Sequence, residues 1–234
     1  MIFLNDKVYK SKLYRKPTNK GIDEDNIIKL DLSRNDLYPF DINYLTSFHL
    51  KNLRFLDLSS NYIEPQGTYY ISQAGFGNLE SLNLNYNYIK NEGLLHLSYG
   101  HFTKLTQLYL FYNKISSEGI KYLVKSQFIN NLIILSLSDN KIKDDGVKIW
   151  TDHKGWSKLY TINLCSIEIT DISLGYLIEA SMPSLKRLNI LGNIFTENGK
   201  LLINELRKKQ IKVNYSTDAD RQNGIEKNNS KENK

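Results

Sequence analysis

Cysteine is almost missing from this chain: Cys165 is the single one in 234 residues. No disulfide framework and no cysteine-rich zinc site can therefore form, and a lone thiol suits a reducing compartment. Histidine is equally thin. His49, His96, His101 and His153 give no H-x-x-x-H pair, and no carboxylate or cysteine joins His96 and His101 at metal-site spacing. Long apolar runs are also lacking. Met1-Ile2-Phe3-Leu4 is too short for a signal-peptide core, and no stretch approaches the roughly 18 apolar residues of a membrane helix. The expectation is a soluble chain of the cytosol or nucleus without membrane contact. No phosphate-binding or dinucleotide-type glycine loop is present, and no serine, cysteine or lysine has an evident activating partner. Neither an enzyme nor a cofactor is expected.

What is present is ordinary in bulk. Hydrophobic residues make up 41% and charged residues 24%, which argues against disorder of the whole chain. The formal net charge of +6 raises nucleic acid or an acidic surface as partners to be tested against the pattern.

That pattern is a repeat. Six segments share the frame L-x-x-L-x-L-x-x-N-x-I/L: Ile27 to Leu37, Leu53 to Ile63, Leu79 to Ile89, Leu105 to Ile115, Leu132 to Ile142 and Leu185 to Phe195. A seventh, Leu159 to Ile169, keeps the apolar positions but has Ile167 where the asparagine belongs. The central apolar residues, Leu30, Leu56, Leu82, Leu108, Leu135, Ile162 and Leu188, are spaced by 26, 26, 26, 27, 27 and 26 residues.

Each part of the frame has a physical reading. The L-x-L alternation predicts a strand with one buried face, so Leu82 and Leu84 point inward and Ser81, Asn83 and Asn85 outward. The asparagines (Asn35, Asn61, Asn87, Asn113, Asn140 and Asn193) can satisfy backbone groups where the chain leaves the strand. Glycines four residues after the I/L position (Gly67, Gly93, Gly119, Gly146 and Gly199) are expected to permit a tight entry into the next segment. That segment has helical spacing, as in Gly93-Leu94-Leu95-His96-Leu97. Leu50, Phe76, Phe102, Ile129, Trp156 and Met182 supply one further apolar anchor per repeat. By register Trp150 and Trp156 belong to the core, and Cys165 lies at an outward strand position as a surface thiol. One strand–turn–helix unit cannot bury its own apolar face, whereas stacked units share a continuous core.

These residues resemble the ribonuclease-inhibitor-like class of leucine-rich repeats over about residues 27 to 215. The sixth repeat, around Leu164-Cys165-Ser166-Ile167, is similar to the cysteine-containing repeats of F-box proteins. No F-box-like segment precedes the repeats, so that function is not carried over. The resemblance implies an α/β leucine-rich-repeat solenoid: a right-handed horseshoe arc with parallel strands on the concave face and helices on the convex face. It says little about function, because the fold serves inhibitors, GTPase activators, innate sensors and cytoskeletal factors alike.

Three regions are expected: a capping segment at 1–26, seven repeats and a closing strand (Ile211 to Tyr215) at 27–215, and a disordered tail at 216–234. The first segment carries a basic run, Lys7, Lys10, Lys12, Arg15, Lys16 and Lys20, best read as a solvated cap. The register places Lys29, Arg34 and Arg187 against Asp31, Asp57 and Asp139 on the outward strand face, a balance poorly suited to phosphate backbones. Nucleic acid is thus an unlikely partner. The fourth strand is unusually aromatic, with Tyr109, Phe111 and Tyr112 where other repeats have small polar residues. Tyr86 should lie beside Tyr112, since adjacent strands are about 4.8 Å apart. Phe55 and Asp57 flank this region, and Tyr62 and Tyr88 are expected to extend it along one rim. The expected function is a non-enzymatic, monomeric protein-interaction module whose protein partner sits on the mid-sheet aromatic patch. The alternatives are a regulator of a GTPase or other enzyme acting through Arg34, and weak nucleic-acid binding through the basic N-terminus.

Overall fold

The computed structural model describes residues 2–3 and 26–216; the basic run at 7–20 and the tail beyond 216 lie outside the described residues. Nine parallel strands form one sheet in chain order. They are β1 (Ile2–Phe3), β2 (Lys29–Asp31), β3 (Phe55–Asp57), β4 (Ser81–Asn83), β5 (Gln107–Tyr109), β6 (Ile134–Ser136), β7 (Thr161–Asn163), β8 (Arg187–Asn189) and β9 (Lys212–Asn214). Between them run α1 (Pro39–Leu45), α2 (Glu64–Gln73), α3 (Lys90–Ser98), α4 (Ser117–Leu123), α5 (Lys143–Asp152), α6 (Asp171–Glu179) and α7 (Glu197–Lys208). Leu30, Leu56, Leu82, Leu108, Leu135, Ile162, Leu188 and Val213 face one another across successive strands. The 26–27-residue period is thus the register of the sheet. The architecture is an α/β leucine-rich-repeat solenoid.

The layers follow from alternation. Leu82, Leu84, Leu108 and Leu110 are fully buried between sheet and helices, and Phe76, Phe102, Ile129, Trp156 and Met182 close the core at the other end of each repeat. Each such side chain contributes about 1.5–3 kcal/mol on burial. Trp150 and Trp156 are both in this core, their ring centroids 4.9 Å apart. Neighbouring strands lie about 4.8 Å apart while packed helices need about 8–10 Å. That wedge bends the stack into an arc with the strands inside.

The strands are only three residues long because the chain turns sharply after each. The residue before the repeat asparagine, or before Ile167 in the sixth repeat, is left-handed in every repeat. Arg34, Ser60, Tyr86, Tyr112, Asp139 and Ser166 have φ between 50° and 56°, and Gly192 has φ 74°. The asparagine then holds the turn. Asn113 accepts from Asn87 N–H (3.0 Å) and Ile89 N–H (3.1 Å) and donates to the carbonyls of Leu84 (2.7 Å) and Phe111 (3.2 Å). Asn61, Asn87, Asn140 and Asn193 do the same for their neighbours.

The repeat glycines have a different role from the tight entry expected. Gly67, Gly93 and Gly146 sit inside their helices, three residues past the first, at ordinary negative φ. A Cβ on Gly93 would lie 2.3 Å from Ile89 Cγ2 and 3.0 Å from Thr68 Oγ1. Close approach of the helix to its own repeat's isoleucine and to the preceding helix is what demands glycine. The sixth repeat solves the same problem otherwise. Ser173 occupies the glycine position, and its Oγ donates to Asp144 Oδ1 at 2.5 Å. Asp144 also accepts from Thr170 N–H (3.0 Å) and Thr170 Oγ1 (2.8 Å), so α5 braces the start of α6.

Candidate protein-binding face

The turn residues that precede the asparagines form a row along the strand face. Backbone bonds keep it in register: Arg34 N–H donates to Ser59 O (2.9 Å), Ser60 N–H to Asn85 O (2.8 Å) and Tyr86 N–H to Phe111 O (2.8 Å). Tyr112 N–H to Ser138 O (3.0 Å) and Asp139 N–H to Cys165 O (2.8 Å) continue it. Only the side chains vary along this row, from arginine through serine and tyrosine to aspartate.

Midway, three rings meet. Tyr86 contacts Phe111 edge to face at 4.7 Å and Tyr112 at 5.3 Å, with Phe111 and Tyr112 6.4 Å apart. Tyr86 is 46% exposed and Tyr112 50%, high for side chains that could otherwise pack against the sheet. Phe111 and Tyr109 are half-buried rather than fully outward. Tyr109 hydroxyl donates to Gln107 Oε1 at 3.1 Å, and burial pushes its phenol above the ordinary value. The structure therefore brings Tyr86, Phe111 and Tyr112 into direct contact, with Tyr109 on the same strand as a supporting ring.

The other residues singled out in the sequence are engaged elsewhere. Asp57 accepts from Ser59 N–H (2.8 Å) and from Asn83 Nδ2 (2.8 Å), so its carboxylate braces two strand ends. Phe55 is half-buried with Lys29 Nζ 4.6 Å and Arg54 Cζ 5.6 Å from its ring centroid. Tyr62 stacks on Tyr38 at 5.0 Å, and Tyr88 carries Lys114 Nζ at 4.6 Å. Neither makes a ring contact with Tyr86, so the rim holds separate aromatic groups instead of one continuous strip. Cys165 is half-buried, and its thiol is pushed up by that burial. Among the described residues no group of three His, Cys, Asp or Glu is placed to hold a metal ion, and no helix is long and apolar enough to cross a membrane.

Sequence reasoning missed Asp139. It was one of three acids on the face, yet its carboxylate alone has no hydrogen bond or ion pair among the described residues, whereas Asp31 accepts from Ser33 N–H at 2.9 Å and Asp57 is braced as above. A signal existed: Asp139 is the acid that falls at the left-handed position, one residue before the asparagine.

A family model described as Leucine Rich repeat matches residues 49–72, 78–98, 101–124 and 129–148. No curated protein matches the sequence. Among solved structures, an internalin (InlF) of Listeria monocytogenes is 21% identical with a TM-score of 0.51, covering 83% of this chain and 56% of the internalin. A TDR receptor is 19% identical (TM-score 0.47) over 82% of this chain and 31% of the receptor. A TLR13–ssRNA13 complex is also 19% identical (TM-score 0.48) over 82% of this chain and 29% of that one. This chain thus spans little more than half of the internalin and about a third of the other two. The likeness to the internalin is one of fold. The ribonuclease-inhibitor-like subclass is not confirmed by any of these matches.

Proposed function

We propose that this leucine-rich-repeat solenoid is a non-enzymatic interaction module that holds a protein partner on its strand face, anchored at Tyr86, Phe111 and Tyr112. The observation that carries this reading is the contact cluster of three rings at mid-sheet, two of them about half exposed. Exposed aromatics at the centre of a face are the residues that dominate interface energetics, because they bring large apolar area at little entropic cost. Tyrosine also fits this place poorly as a purely structural choice. The same backbone position is filled by Ser60 and Ser166 in other repeats, so the turn does not need a ring there. The α-helix in each of the repeats between β2 and β9 supports the ribonuclease-inhibitor-like class for the repeats.

The test uses the substitutions that the molecule itself supplies. Tyr86→Ser with Tyr112→Ser places at both turns the residue already found in the second and sixth repeats. The double variant should keep its circular dichroism and cooperative melting and lose the protein captured from native lysate by the parent chain. Undiminished capture by a folded double variant would remove the aromatic site from this reading.

A further inference from the structure

Five aromatic rings among the described residues have a cation over them. Phe55 has Lys29 and Arg54 over it, Tyr88 has Lys114 at 4.6 Å, Tyr160 has Arg187 at 5.9 Å, Tyr176 has Lys148 at 5.6 Å and Tyr215 has Arg207 at 5.2 Å. Tyr86, Phe111 and Tyr112 have no cation over them among the described residues. One place further along the same backbone row stands Asp139, whose carboxylate has no hydrogen-bond or ion-pair partner among the described residues. An aromatic surface without its cation therefore adjoins a carboxylate without its counter-ion. Each lacks the group that the other also attracts.

We infer that Tyr86, Tyr112 and Asp139 together receive an arginine side chain of the protein partner, its guanidinium lying on the tyrosine rings and paired with the Asp139 carboxylate. The inference rests on the strand-face reading above and specifies the partner's chemistry there. A planar guanidinium suits both halves of the site: it stacks on an aromatic face and presents a fork to a carboxylate, which an ammonium does not. The ring spacings exclude an enclosing cage. At 4.7 and 5.3 Å the rings touch one another, leaving no gap for a cation between them, so the cation lies on their outer face. Phosphate-bearing partners are disfavoured at the same place, because Asp139 would face their charge. On a chain of net charge +6, Asp139 is the local feature that makes a cation welcome. Its burial lifts the carboxyl above the ordinary value, and a paired guanidinium acts in the opposite direction by favouring the charged form.

The probe is a capped pentapeptide, Gly-Leu-Arg-Leu-Gly, compared with the same peptide carrying citrulline or lysine for arginine. Each is titrated into the isotope-labelled full chain while amide and tyrosine-ring resonances are followed. The arginine peptide should move the signals of Tyr86, Tyr112 and Asp139 at millimolar concentration. Citrulline, equal in shape but uncharged, should bind about threefold to tenfold more weakly, with lysine between. Asp139→Asn should remove the arginine preference; asparagine tolerates the left-handed turn at that position, so this variant folds. Equal binding of arginine and citrulline, an unchanged preference in Asp139→Asn, shifts elsewhere, or no shifts would each overturn the inference. Captured partner discriminates the two readings. If Tyr86→Ser with Tyr112→Ser abolishes capture while Asp139→Asn leaves it whole, the strand-face reading stands and the arginine site falls. If neither variant affects capture, both fall.

Discussion

Tyr112 and Asn113 are neighbours in the chain and opposites in constraint. Asn113 is fully buried, its side chain makes four hydrogen bonds to backbone groups of its own and the preceding repeat, and it recurs as asparagine in all but one repeat. Tyr112 shares its unusual backbone angle with every counterpart, yet those counterparts are arginine, serine, tyrosine, aspartate and glycine. In six of the seven repeats the turn uses the amide, and in all seven it is indifferent to the side chain before it. Each repeat therefore contains one position chosen by the backbone and, one residue earlier, one left open for recognition. This pairing explains how the solenoid keeps a strict architecture while displaying a variable row.

The sharpest way to break the comparison is Asn113→Ala. It leaves the N–H groups of Asn87 and Ile89 and the carbonyl of Leu84 buried without this partner. At about 1–3 kcal/mol per orphaned group, a loss of roughly 3–9 kcal/mol is expected, a large fraction of the total stability of a typical domain. Urea unfolding measures it, and a loss under about 1 kcal/mol would show that water replaces the amide.

Next in size is a pair of glycines. Gly93→Ala drives a methyl to 2.3 Å from Ile89 Cγ2 and should destabilise by about 1–3 kcal/mol. Gly175→Ala, in α6 with nothing within 4 Å, should instead stabilise by about 0.5–1 kcal/mol. Opposite signs in thermal melts support close approach as the reason for the repeat glycine; equal signs would refute it.

A smaller effect probes the open row. Ser60 is left-handed at φ 55°, so Ser60→Gly relieves a Cβ clash and should gain up to about 1 kcal/mol, less the greater freedom of glycine in the unfolded chain. A measurable loss would mean that the serine side chain contributes to the turn.

The smallest expected effect concerns Asp139. Burial raises its carboxyl above the ordinary value of 3.8, so the folded chain holds that proton more tightly than the unfolded chain. The stability from this group is present in full below pH 3.8 and is lost as pH rises through the raised value. At neutral pH the charged carboxylate is therefore a small liability. Asp139→Asn should melt slightly higher than the parent at pH 7, the gap closing in acid. A variant that melts lower at pH 7 would point to an interaction of the carboxylate that the free chain already makes.

The fold was legible in the sequence because its signals are local and periodic. Leu56, Leu82 and Leu108 recur at the register distance, and the asparagine marks where a strand must end. The glycine position was legible but its reason was not: a tight entry and a close approach leave the same letter in the chain, and only Ile89 Cγ2 beside Gly93 separates them. The aromatic cluster was half legible. Register brought Tyr86 beside Tyr112, but nothing in the spacing showed that Tyr109 and Phe111 sink partway in, or that Tyr62 turns to stack on Tyr38.

By itself the sequence determined the repeat, the buried face of every strand and the amide ladder, because each depends on residue type at a fixed spacing. The tertiary structure decided which outward groups are already satisfied. Among the described residues Asp31 and Asp57 are engaged by backbone or neighbouring side chains and Asp139 is not, and Tyr88 has its lysine while Tyr112 has no cation. The Asp57–Asn83 and Tyr88–Lys114 contacts are distances between side chains of adjacent coils, fixed only once the coils have stacked.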